Sequence, residues 1–104
     1  MRIFCLDTRN AVVLILPSLF MIGSYKVFFW SNENNEPIHV HIAHKPSANA
    51  TKIWLTSKGG FILENNKSRI PARELNDMVL IIVAHYGFIC DEWIKHFGSI
   101  KFYV

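Results

Sequence analysis

Two histidines separated by one residue, His39 and His41, are the side chains of this chain best placed to do chemistry. They stand in Pro37-Ile38-His39-Val40-His41-Ile42, directly after the polar run Ser31-Asn32-Glu33-Asn34-Asn35-Glu36. In an extended strand successive side chains point to opposite faces. Both imidazoles therefore share one face, and Ile38, Val40 and Ile42 the other. Same-face neighbours two residues apart stand roughly 6–7 Å from each other. Near neutral pH an imidazole can accept a proton, donate one or ligate a metal. Three arrangements fit the pattern: metal ligation, proton transfer or phosphate contact, and a solvated or aromatic-packed strand face with no chemistry.

Metal ligation needs a third donor. Glu33 and Glu36 offer one from the adjoining loop, with His44 and His96 as further candidates. The motif lacks the helical spacing of two histidines one turn apart with a glutamate between them. It also falls short of three alternating histidines, because Ala43 takes the third slot and His44 has the opposite parity. Proton transfer would instead make His39 and His41 the catalytic acid and base of a phosphodiesterase- or ribonuclease-like enzyme, with Lys26 or Arg73 offsetting the phosphate charge. In either case the six-residue loop Asn32–Pro37 cannot carry its carboxylates far. Glu33 or Glu36 is expected to reach at least one imidazole.

The elements that position these residues follow from punctuation. Leu19–Ile22 and Tyr25–Ser31 read as strands joined by the turn Gly23-Ser24. The histidine strand Ile38–His44 follows the polar loop. Ala50–Thr56 is a strand with Thr51, Ile53 and Leu55 towards the core and Lys52 and Trp54 on the other side. Lys58-Gly59-Gly60 turns the chain into the short strand Phe61–Leu63. Beyond Pro71 the pattern is helical: Leu75, Met78, Val79, Ile82 and Val83 form a buried stripe, and Gly87 reads as a left-handed cap. A second helix, Phe88–Phe97, buries Ile89, Trp93, Ile94 and Phe97 and stops at Gly98. His85 and His96 fall in last turns, where capping is their expected role. The tail Ile100–Val104 could add an edge strand. These readings predict an α+β domain: an antiparallel sheet of about four to five strands followed by two C-terminal helices packed on one face.

Composition sets the bounds. The 104 residues are 51% hydrophobic and 18% charged, which fits one domain with one core. Eight Phe, three Tyr and three Trp form an aromatic load that leaves rings available for stacking. A net charge of +3, scattered rather than blocked, permits a nucleic-acid partner without requiring one. Cys5 and Cys90 are single and distant, as in a reducing cytoplasm. The apolar run Ala11–Ile22 is too short to span a bilayer and is broken by Pro17, so no membrane role is expected. Residues 1–16 read as an extra N-terminal strand or hairpin, or as the product of an upstream start codon, and residues 17–104 as a single domain.

The ordered motifs Gly23-Ser24-Tyr25-Lys26, Ser31-Asn32-Glu33, Glu36-Pro37-Ile38-His39-Val40-His41, Lys52-Ile53-Trp54-Leu55, Arg73-Glu74-Leu75 and Trp93-Ile94-Lys95-His96-Phe97-Gly98 carry a resemblance. Together they resemble the short bacterial domain of unknown function numbered four-one-six-zero, over about residues 17–98. Ile38 departs from the family's second proline, and residues 1–16 have no counterpart. The resemblance implies a component of a two-gene, toxin–antitoxin-like module that binds a small partner protein. No reaction comes with it.

Two functions follow. In the first, the protein binds its partner and RNA or DNA through a sheet face presenting Lys26, Trp30, His39, His41, Lys52 and Trp54, with Arg73 nearby; stacking on such a platform is worth about 1–3 kcal/mol per base. No cofactor is needed, and a homodimer is compatible with it. In the second, His39 and His41 act in an enzyme or, with Glu33 and Glu36, hold a divalent metal. Both an enzyme and a binding module fit these residues.

Overall fold

The computed structural model describes residues 18–33 and 35–104. The readings of residues 1–16, as an extra strand or hairpin or the product of an upstream start codon, lie outside the described residues. Five strands form one sheet in sequence order: β1 (Ser18–Ile22), β2 (Tyr25–Phe28), β3 (His39–Ala43), β4 (Thr51–Leu55) and β5 (Phe61–Asn65). Every neighbouring pair is antiparallel. Two helices follow, α1 (Ala72–Ala84) and α2 (Tyr86–Phe97). The predicted α+β architecture is what the chain adopts.

Each connection has a local cause. Gly23 takes φ +60° in the tight turn between β1 and β2, a conformation that favours glycine. The sheet face carrying Val27, Val40, Ile42, Ile53 and Leu55 packs against Leu75, Met78, Val79 and Ile82 of α1 and Ile89 and Trp93 of α2. Burying a side chain of this size contributes roughly 1.5–3 kcal/mol, which makes this layer the main source of stability. Thr51 is a buried hydroxyl on the helix-facing side, donating to Asn66 Oδ1 at 2.7 Å. Asn66 also accepts the Ile70 N–H at 3.1 Å and donates to the Ile70 carbonyl at 2.9 Å. This polar knot ties the β5–α1 connection to β4 and leaves the buried threonine satisfied.

Four expectations change. Strand β2 ends at Phe28 rather than Ser31, because Phe29 turns into the core against Trp93 (ring centroids 4.9 Å apart). Gly87 is not a cap. The first helix closes at His85, whose N–H reaches the Ile81 and Ile82 carbonyls, and α2 begins at once with Gly87 in its first turn. His85 does cap, donating Nδ1–H to the Ile81 carbonyl at 2.8 Å, while Gly98 ends α2 at φ +86°. Ile94 is 42% exposed instead of buried, since α2 is tethered through Ile89 and Trp93. The tail 100–104 forms no strand. It hydrogen-bonds to residues flanking β3 and β4 at one end of the sheet, Ile38 N–H to the Lys101 carbonyl and Ser57 N–H to the Val104 carbonyl, and lays Tyr103 flat on Trp54.

Candidate metal centre

Strand parity puts His39 and His41 on the same face, with ring centroids 4.9 Å apart and planes nearly perpendicular. Register across the sheet adds the neighbours: His39 faces Trp54 and His41 faces Lys52 on β4, while Phe28 of β2 faces His41. The loop between β2 and β3 then folds back over this face. Its turn is closed by the Glu36 N–H donating to the Glu33 carbonyl, and Glu33 Oε1 accepts the Trp30 N–H at 2.9 Å. The Glu33 carboxylate is thereby held over the strand.

One carboxylate serves both rings. Glu33 Oε1 stands 3.0 Å from His39 Nε2, and Oε2 accepts a hydrogen bond from His41 Nε2 at 3.0 Å. His39 Nδ1 lies 2.8 Å from the Pro37 carbonyl oxygen. A carbonyl only accepts, so Nδ1 carries the proton and the lone pair of a neutral ring is on Nε2. That Nε2 is buried and, despite its 3.0 Å approach to Glu33, lacks the alignment of a hydrogen bond. His41 Nδ1 is likewise buried without a partner.

The surroundings are dry and aromatic. His39 is fully buried, its ring edge-on to Trp54 at 5.3 Å and to Trp93 at 5.4 Å. Burial raises the Glu33 pKa, but the His39 and His41 side chains set against the carboxylate outweigh it and bring the group down to about 2. The carboxylate is thus firmly anionic at neutral pH.

One ligand atom from each of Glu33, His39 and His41 lies within 4.8 Å of the others. Two atoms each roughly 2.1 Å from a common ion stand roughly 3–3.4 Å apart, so the 3.0 Å spacings suit shared coordination. At His39 the tautomer fits as well, whereas His41 must release its Nε2 proton to ligate through that atom. A metal-bound histidine usually donates its other N–H to a carbonyl or carboxylate, as His39 does to Pro37. Two imidazoles and a carboxylate are a zinc-type donor set.

Glu36, the alternative third ligand, is drawn elsewhere. Its Oε1 pairs with Lys52 Nζ at 2.9 Å and keeps 4.0 Å from His39 Nδ1. The stacking face is assembled but covered: the loop covers His39 and Tyr103 covers Trp54, leaving Trp54 9% exposed. Lys52 lies over the same indole, 4.2 Å from the ring centroid. Lys26 sits two pairs beyond the Phe28–His41 pair, opposite Ala43. Arg73 is exposed in the first turn of α1, in the layer that covers the other face of the sheet, so it does not join the histidines. His96 is not the cationic cap its position suggests, because partial burial against Phe29 and Phe97 lowers its pKa.

Trp93, Glu64 and Lys67 were not legible as site residues. Trp93 reaches His39 from α2, a contact no local pattern encodes. Glu64 accepts the Trp54 indole N–H at 2.8 Å from the diagonal position on β5, two residues beyond Ile62, the residue paired with Trp54.

No described helix is long and apolar enough to cross a membrane. No curated protein and no solved structure matches the chain. A family model, "Domain of unknown function (DUF4160)", matches residues 24–94, which include both histidines, Glu33 and both helices up to Ile94. The chain belongs to that family of domains of unknown function.

Proposed function

We propose that this protein binds one divalent transition-metal ion of the zinc type through Glu33, His39 and His41. The observation that carries the reading is the His39 ring. Its Nδ1–H is committed to the Pro37 carbonyl, so an Nε2 lone pair faces a Glu33 oxygen 3.0 Å away. Two acceptors at that distance repel unless a cation lies between them. A proton could serve, but the poor alignment at Nε2 favours an ion that both atoms approach from their own lone-pair directions. A bound ion of this kind would supply Lewis-acid polarisation of a phosphoryl or carbonyl oxygen. The chain's own residues do the rest: Pro37 orients His39, Trp30 N–H orients Glu33, and Trp54 and Trp93 exclude water from the rings.

This reading is preferred to an open stacking platform because His39 is fully buried and Trp54 lies under Tyr103. It is also preferred to metal-free acid–base catalysis, in which a fully buried His39 would have to meet substrate. Elemental analysis of untagged protein, with calorimetric titration of zinc into stripped protein, tests it. About one equivalent is expected, lost in His41→Ala. Absence of uptake in both experiments overturns the reading.

A further inference from the structure

A cavity of about 270 Å³ adjoins the histidine pair, with Trp30, His41, Lys52, Glu64 and Lys67 in its walls. Ligand sites usually run roughly 300–1,000 Å³, so this one has room for a single small unit rather than a peptide or a folded partner. Its chemistry is mixed in a specific way. Trp30 offers a partly exposed aromatic ring, Lys52 and Lys67 offer ammonium groups, and His41 is a buried imidazole whose Nδ1 has no partner. An aromatic face beside two cations suits a ligand that is flat at one end and anionic at the other.

The charges also say when an anion would be welcome. Lys52 is paired with Glu36 at 2.9 Å, and the walls carry the Glu64 carboxylate as well as the Lys67 ammonium, so the side-chain charges nearly cancel. A divalent ion held by the single carboxylate Glu33 would leave one uncompensated positive charge next to His41. Anion affinity should therefore rise with metal loading.

We propose that this cavity binds a nucleotide monophosphate unit, its phosphate at Lys52 and Lys67 and its base on the Trp30 ring. The proposal deepens the metal-centre reading, and rests on it only for the rise in affinity on metal loading. The test is calorimetric titration of the full chain, zinc-loaded and stripped, with adenosine monophosphate, inorganic phosphate and adenosine. Expected is tighter binding of the monophosphate than of either fragment, weakened about tenfold or more by Lys67→Glu. Trp30→Leu should remove the advantage of the monophosphate over phosphate. A short oligoadenylate that competes at the same Lys67-dependent site shows that the unit can be part of a strand, and failure to compete assigns it to the free nucleotide. No binding in either form, or binding indifferent to Lys67→Glu, overturns the proposal. Monophosphate binding with full Lys67 dependence but no zinc uptake would overturn the metal centre alone.

Discussion

His39 Nδ1 lies 2.8 Å from the carbonyl oxygen of Pro37, two residues before it in the chain. This short-range contact does the work usually left to a distant carboxylate: it selects the tautomer and turns Nε2 towards Glu33. Because Pro37 has no N–H of its own and a fixed φ, its carbonyl is presented by a stiff piece of backbone. The orientation of the ring is thus built into the entry to β3.

Glu33→Gln tests whether that geometry serves a cation. Glutamine keeps the shape and can still accept the Trp30 N–H, but it removes the negative charge. Zinc affinity should fall about 10- to 100-fold, in line with the loss of one ligand or its orienting partner. Titration calorimetry against the parent protein reads the change, and unchanged affinity would exclude Glu33 as a ligand.

Acid stability of the metal-free protein should track Glu33. The carboxyl ionises at about 2 in the folded protein against 4.5 in an unperturbed chain. Above pH 4.5 both states are charged, and the folded state's preference for the carboxylate is fully expressed. Between pH 4.5 and about 2 the unfolded chain takes up its proton first, so this stabilisation fades. It amounts to on the order of 2–3 kcal/mol. Urea midpoints measured from pH 7 to pH 2 should show the decline, and Glu33→Gln should flatten it. An identical slope in the variant would contradict the assignment.

Asn66→Ala should destabilise without touching the metal centre. It deprives the Ile70 N–H of its acceptor and leaves the Thr51 hydroxyl with Ser68 as its remaining partner. Leaving buried polar groups unpaired costs about 1–3 kcal/mol. Chemical denaturation measures that loss, and zinc stoichiometry should stay at the parent value.

Tyr103→Ala should uncover Trp54. The phenol ring stacks on the indole at 5.1 Å and 20°, and its removal lets water reach the indole face. The expected result is a red shift of tryptophan emission with a stability loss of about 1 kcal/mol. No spectral change would mean that the tail does not hold this position in solution.

Much of the site was legible in the residues themselves. Parity alone put His39 and His41 on one face, and the shortness of the loop kept Glu33 within reach, because both depend on local geometry that a strand and a six-residue connection dictate. Tyr25, Gly23 and the helical stripe from Leu75 to Ile82 likewise read correctly, since each follows from a period or a turn. Which carboxylate reaches the rings was decided only by the fold. Glu36 is captured by Lys52, a partner 16 residues away that only the β3–β4 register brings alongside. Trp93 on His39, Tyr103 on Trp54 and Lys67 beside His41 are likewise products of packing between segments far apart in the chain. Local sequence encodes the direction of a side chain; what it meets there depends on long-range docking of α2, the tail and β5, which no spacing along the chain records.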